Sequence, residues 1–494
     1  MSTTAFDKLI DALVQGRSWP EMGKGDSARE LLQAVFEERY HKREYAKFQA
    51  RANLQAKADA SSYGGWITAE NPTSGPYQGT SFVWFPGESG SVAVLVIGTG
   101  GFGSDAHILS RPGHRRRLQA LSRLHQGRLW VKPDFLDLNS EVPAAIREQW
   151  PQIDAAFGSY KHVIYAAYAV TQKGAAEGVA DLVDLFFHEH GVQAKKSSED
   201  RWRTRQQQML SSIFPRVAPA EVQDILDDRR FVILEGPPGT GKTRLALQIG
   251  DELSVDAPTV VQFHPARTYE DFVVGLAPEP GAEGLSFCAR QGDLLRANAR
   301  AAAGPHVLII DEINRGDLGR VLGEAIYLFE PADALRRIEL PHAVSVGGGQ
   351  PTYELQLKPG LMVLGTRNTA DRSIARMDLA IRRRFAFIAM WPDLGPVEQQ
   401  GDKLAQRCFA DVINTFTEHA DEEGLHLTPG HGYFQDPRAE LDTTTRRERI
   451  KRRIQFEVLP LLRDYVAERL LGAATTEIAG LADRLEAALD EPSE

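Results

Sequence analysis

Apolar residues recur three and four positions apart from about residue 4 to residue 55, with Leu31, Leu32, Val35 and Phe36 on one face among charged neighbours. That spacing predicts an amphipathic helical pair. From Tyr63 to about Val170 the pattern changes to short β-rich runs (SFVWF, SVAVLVI, HVIYAAYAV) divided by Gly, Pro, Asn and Ser, with helical stretches between them. A separate α+β domain is expected over residues 1–193. The polar stretch AKKSSEDRWRTRQ, residues 194–206, follows the helical pattern ADLVDLFFHEHG and has the composition of a linker. Downstream, RRFVILEG, APTVVQFH, HVLIIDE and GLMVLGT alternate with helical stretches, the pattern of a parallel sheet flanked by helices, over residues 207–392. After Trp391-Pro392 the strand pattern stops, and residues 393–494 read as a small helical domain.

Composition narrows the setting. With 494 residues, 25% charged and 42% hydrophobic, the chain has ordinary globular values for several folded units. It contains no apolar run near the roughly 18 residues that a membrane span requires. The opening MSTTAFDKLIDALVQGRSW lacks the basic start and apolar centre of a secretory signal, so the expected compartment is the cytoplasm. Cys288 and Cys408 lie far apart without CxxC partners, which speaks for buried thiols rather than a disulfide framework or a zinc site. A net charge of −10 argues against a globally basic nucleic-acid binder, while leaving room for a local basic groove.

The candidate chemistry is concentrated in two segments. Gly236-Pro237-Pro238-Gly239-Thr240-Gly241-Lys242-Thr243 is a full GxxxxGK(S/T) match, preceded by the strand FVILE and followed by a helical stretch opening with Arg244. Glycines let backbone N–H groups close around phosphates, the helix N-terminus favours the anion, and Lys242 reaches the β- and γ-phosphates. The Thr243 hydroxyl is the expected Mg²⁺ contact. The strand HVLII ends in Asp311-Glu312, two carboxylates at the strand end where ligands sit in open α/β sheets. Asp311 would complete the magnesium shell and Glu312 would orient and activate the attacking water.

Four further segments carry a family resemblance: VVQFHPARTYEDFVVGLAP (260–278), DEINRGDLGRVLGEAIYLFE (311–330), GTRNTADRSIARMDLAIRRRFAF (365–387) and LTPGHGYFQDP (427–437). In that order they resemble the McrB-type AAA+ domains of modification-dependent restriction systems, across roughly residues 205–465. The resemblance implies an AAA+ P-loop fold with a C-terminal helical lid, hydrolysis of GTP or ATP, a ring of subunits, hexameric in form, and a McrC-like nuclease partner acting on DNA. It also implies roles. Asn368 corresponds to the sensor for water and γ-phosphate, Arg382, Arg383 and Arg384 to the region of the arginine finger, and Arg315 and Arg372 to further charges at the site. One position departs: family members typically read MNTADRS, and here Arg367 replaces the Met, which leaves GTP and ATP both open.

Gly98-Thr99-Gly100-Gly101-Phe102-Gly103 matches GxGxxG, but Pro112 interrupts the stretch and no acidic residue stands at the dinucleotide spacing, so a glycine loop is expected. The run Arg115-Arg116-Arg117 offers phosphate contacts. With Arg128, Lys132 and the aromatics Trp66, Tyr77, Trp84, Phe85 and Trp130, it supplies the ingredients of a DNA surface, set against the ordinary alternative of core rings and solvated charge. The basic stretch RRERIKRR (446–453) reads as a solvated face of the lid, with an inter-subunit role as the second reading. No nuclease constellation is found. A rival function from another class is a MoxR-like chaperone NTPase whose N-terminal domain binds a protein client.

Overall fold

The computed structural model describes residues 3–54, 62–72, 76–151, 160–278, 286–330, 335–345, 350–371, 379–436, 438 and 442–490. The chain divides into two compact units, Met1–Ile213 with Thr417–His419, and Phe214–Phe416 with Ala420–Glu494. Among the described residues no helix is long and apolar enough to cross a membrane.

The first unit opens with α1 (Ala5–Gln15) and α2 (Gly25–Arg39). A capping box starts α1, the Thr4 hydroxyl accepting from the Asp7 N–H at 3.0 Å while Asp7 accepts from the Thr4 N–H at 3.1 Å. The strands β1 (Phe48–Asn53), β2 (Tyr63–Thr68), β3 (Thr80–Pro86), β4 (Ser91–Ile97), β5 (Leu129–Val131) and β6 (Ile164–Val170) form an antiparallel sheet in the order β1-β2-β3-β4-β6-β5. Alternate side chains serve different cores. Phe82, Trp84, Ala93 and Leu95 join one buried cluster, and Val83, Phe85, Val92 and Val94 another. Helices α3 (Pro112–Leu124), α4 (Ala176–Glu189) and α5 (Lys196–Ile213) complete the unit.

Two expectations change here. Residues 48–53, read as helical, are the edge strand β1, paired with β2. The stretch read as a linker is largely the helix α5, whose Ser198, Trp202 and Met209 are buried. Its arginines reach acids buried on α4. Arg201 Nη2 lies 2.5 Å from Asp181 Oδ1 and Arg205 Nε lies 3.0 Å from the same oxygen, while Arg201 also pairs with Asp184. Asp181 is fully buried, so losing a partner would leave an uncompensated interior charge.

In the second unit, α6 (Pro219–Arg229) precedes β7 (Phe231–Gly236), α7 (Lys242–Leu253), β8 (Thr259–Gln262) and the hairpin of β9 (Val274–Pro278) and β10 (Phe287–Gln291). Then come α8 (Asp293–Arg300), β11 (His306–Asp311), the hairpin of β12 (Ile338–Val344) and β13 (Thr352–Leu355), β14 (Leu361–Asn368), α9 (Leu379–Arg382) and β15 (Ala386–Ala389). The five-stranded sheet is parallel in the order β15-β7-β14-β11-β8. Strictly alternating residues bury both faces: Phe231, Ile233, Leu308, Ile310 and Val363 pack on one side, Val232, Leu234, Val307, Ile309 and Leu364 on the other. Apolar runs without a polar alternate are what a sheet covered on both faces needs. Beyond Pro392 the regular elements among the described residues are helices, including α10 (Lys403–His419), α11 (Thr443–Arg453), α12 (Leu459–Ala467) and α13 (Thr475–Leu489). Cys408 is buried and Cys288, on β10, is half-buried.

Candidate active site

The sheet order determines what meets at the strand ends. β14 lies between β7 and β11, with Asn368 opposite Gly236 and Gly365 opposite Ile310. The phosphate loop, the acidic pair and Asn368 therefore come together at the C-terminal edge of the sheet, where α/β proteins place ligands.

The loop 236–241 requires its glycines. Gly239 and Gly241 have φ of +77° and +81°, in the left-handed region, and a Cβ on Gly236 would stand 2.0 Å from the Met390 carbonyl oxygen. Lys242 is buried and donates to the carbonyls of Gly236 (2.9 Å) and Pro237 (2.6 Å). Burial lowers its pKa to about 8, against the opposite pull of Glu312 and Asp311. Thr240 binds the Pro237 carbonyl at 3.0 Å, and Arg244 borders the adjoining cavity.

The Thr243 hydroxyl donates to Asp311 Oδ1 at 2.8 Å, and the Thr366 hydroxyl reaches the same oxygen at 2.6 Å. One hydroxyl beside one carboxylate is the short protein donor set that magnesium takes when phosphates and waters supply the rest. A cage of three or more His, Cys, Asp or Glu side chains is absent among the described residues. Glu312 has φ of +52°, and its N–H donates to the Thr366 hydroxyl at 3.1 Å. Its Oε2 is buried without a hydrogen-bond partner, 3.5 Å from Arg315 Nε. Burial raises the Glu312 pKa, with Arg315 opposing. A desolvated carboxylate with an open acceptor is suited to take a proton from water.

Asn368 Oδ1 accepts from the Ala370 N–H at 3.1 Å, and the Asn368 carbonyl faces Asn314 Nδ2 at 3.4 Å. Arg315, half-exposed, lies 3.5 Å from Glu312 and 3.7 Å from Asp371, so it turns toward acids of its own chain. Of the finger candidates, Arg384 is buried at 6% exposure, whereas Arg382 and Arg383 are exposed. The Arg382 guanidinium sits 5.3 Å from the Phe387 ring centre. Arg372 lies outside the described residues. Arg367 pairs with Glu235 at 3.0 Å across β14 and β7, which accounts for the charge at that position by a neighbour within the sheet.

Residues distant in sequence finish the site. The Gly430 and Gly432 N–H groups donate to the carbonyls of Pro238 and Gly239, each at 2.8 Å, so the GHGYF segment is hydrogen-bonded onto the phosphate loop. A cavity of about 780 Å³ extends from Thr240, Gly241 and Arg244 to Phe214, Trp391 and Asp393, with His431 and Arg453 on its wall. Trp391 stacks between Phe214 (5.3 Å) and His426 (4.9 Å). Sequence reasoning quoted the segments that hold His431 and Arg453, and Trp391 as a boundary, but assigned none of the three to the site. Arg453, read as part of a solvated face, instead pairs with Glu457 at 3.1 Å beside this cavity.

In the first unit the rings weighed as a stacking surface are core residues. Trp66, Tyr77, Trp84, Phe85 and Trp130 are buried, as is Lys132, which donates to the carbonyls of Ser140 and His162 at 3.1 and 2.9 Å. Arg116 is buried and Arg117 is held on Glu189 at 2.5 Å, because one face of α3 packs inward; Arg115 is half-buried and reaches the Pro133 carbonyl at 3.4 Å. Arg128 donates to the His125 carbonyl at 3.2 Å. The glycine loop 98–103 follows an antiparallel strand, and Pro112 begins α3 rather than breaking a helix.

A parallel sheet with a phosphate loop after its first strand and an acidic pair after its third, with a further strand inserted between them, defines an AAA+ nucleotide-hydrolysing domain. Residues 231–385 match the family described as AAA domain (dynein-related subfamily). The AAA+ region is McrB-like: the chain is 30% identical over 275 residues to the type IV methyl-directed restriction enzyme EcoKMcrB subunit of Escherichia coli, covering 52% of this chain and 58% of that protein. It is 28% identical over 248 residues to the Holliday junction branch migration complex subunit RuvB of Mycobacterium sp. (strain KMS), covering 50% and 53%. To the type II restriction enzyme BsuMI component YdiS of Bacillus subtilis it is 26% identical over 192 residues, covering 31% and 55%. The chain thus spans little more than half the length of these relatives.

Proposed function

We propose that this chain is a magnesium-dependent AAA+ motor of McrB type that hydrolyses GTP or ATP and assembles as a ring, hexameric in form, with nucleotide between subunits. The observation that carries the reading is one constellation: Lys242 at the phosphate loop, Thr243 and Asp311 within 2.8 Å, and Glu312 with a buried oxygen that accepts no hydrogen bond. Thr243 and Asp311 would hold Mg²⁺, which when bound screens phosphate charge and orients the γ-phosphoryl group. Loop N–H groups and Lys242 bind the phosphates. Glu312 accepts a proton from the attacking water, and Asn368 holds that water toward phosphorus. Arg382 or Arg383 from a neighbouring subunit completes the transition-state charge.

The same reading has hydrolysis move or remodel DNA for a separate McrC-like nuclease in defence against foreign DNA, with residues 1–193 recognising the target. Similarity to a restriction subunit and to a branch-migration subunit supports DNA over a protein client. Glu312→Gln keeps the shape and removes the base, so turnover should fall by roughly 10² to 10⁴ while nucleotide affinity stays within a few-fold. Wild-type turnover in this variant would overturn the assignment.

A further inference from the structure

The cavity beside the phosphate loop touches Thr240, Gly241 and Arg244, but neither Asp311 nor Glu312 borders it. It therefore lies on the nucleoside side of the phosphates, away from the bond that breaks. His431 stands on its wall where cavity and loop meet, and the residues flanking it are hydrogen-bonded to the loop's own carbonyls. The ring's orientation is fixed as well. Its Nδ1 accepts the backbone N–H of Asp393 at 3.3 Å, and Asp393 is in turn tied to Arg216 (3.0 Å) and to the Gly395 N–H (2.9 Å). Burial lowers the His431 pKa against the pull of Asp393, so the ring is neutral near neutral pH. A neutral imidazole that accepts at Nδ1 carries its proton on Nε2. That Nε2 is the atom facing the open side of Gly241, 3.6 Å from where a Cβ would stand.

We propose that His431 contacts the nucleotide directly, its Nε2–H donating to an oxygen of the α-phosphate. This rests on reading the site as a nucleotide site. Gly241 is the last residue of a loop whose N–H groups cradle the α- and β-phosphates. A donor suspended over it, on the side of the nucleoside cavity, meets the α-phosphate and not the γ.

The test is equilibrium binding of nucleoside di- and triphosphate to the full chain, with turnover, for three variants. His431→Phe keeps the ring and removes both nitrogens, so it should weaken both nucleotides by the same factor, roughly tenfold for one hydrogen bond to a charged group. His431→Gln places an amide N–H near the Nε2 position and should recover most of the affinity. His431→Asn places its polar group near the Nδ1 position only and should not. Recovery by Asn but not by Gln would show that the histidine merely holds the Asp393 peptide. A loss confined to the triphosphate would place the contact at the γ end, and either result overturns the proposal. Wild-type binding by the Phe variant overturns it alone, whereas a wild-type chain that binds no nucleotide with Mg²⁺ overturns the parent reading as well.

Discussion

Nucleotide binding should take up protons above neutral pH, because Lys242 is buried against the loop's carbonyls with its pKa lowered to about 8. A bound polyphosphate surrounds the ammonium with negative charge and returns its pKa to the ordinary value of about 10.4 or above. The sign follows from linkage: the bound form holds the proton more tightly, so affinity is full below the free-state pKa and declines as pH rises through it. The fraction of free protein with a charged Lys242 is nearly complete at about pH 7, about half at about pH 8 and about a tenth at about pH 9, so affinity should fall roughly tenfold across that range. His426 and His431, both pushed below the usual histidine range by burial, titrate on the acid side and leave this window clear. Calorimetric titrations at about pH 8 in two buffers of different ionisation enthalpy should report uptake of about half a proton per nucleotide bound. Uptake near zero, or an affinity that stays flat from about pH 7 to about pH 9, would mean that the ammonium remains fully charged in the free protein and would refute the argument.

An arginine finger acting in trans supplies about 10³ to 10⁵ in rate, so Arg382→Ala or Arg383→Ala should cripple turnover while leaving nucleotide binding intact; mixing that variant with Lys242→Ala should restore part of the activity, and silence in proven mixed assemblies would place the arginine in its own subunit. Gly430 has an ordinary φ of −77°, yet a Cβ there would stand 2.3 Å from the Gly239 backbone. Gly430→Ala should therefore act through overpacking alone, costing about 1 to 3 kcal/mol in denaturant unfolding and loosening nucleotide binding, and an unchanged midpoint and Kd would contradict the close packing described.

The phosphate loop and the acidic pair were legible in the sequence because each is a local device, a strand running into a loop with its ligands at fixed offsets. The two-sided sheet was legible for the same reason, in the unbroken apolar runs FVIL and HVLII. Composition misled at α5, where two large buried side chains, Trp202 and Met209, carry a helix whose remaining face is charged. Its arginines look like linker residues until Asp181 and Asp184 are seen opposite them. The same ambiguity hid Arg116 and Arg117, since a basic run says nothing of which side of its helix packs inward. His431, Trp391 and Arg453 enter the site only through folding, and no spacing in the chain announces them.

The two hydrogen bonds from Gly430 and Gly432 to the phosphate loop bear on how this protein can be taken apart. The segment that matches the AAA domain family ends at residue 385, some distance before those glycines. A fragment cut there keeps every signature residue through Arg384 and loses the backbone that braces Pro238 and Gly239, along with His431. During synthesis the ribosome likewise releases a chain with its lysine, its acids and its finger in place long before the nucleotide pocket can close. Ligand binding should therefore appear late, as the last event of maturation rather than an early property of the emerging domain.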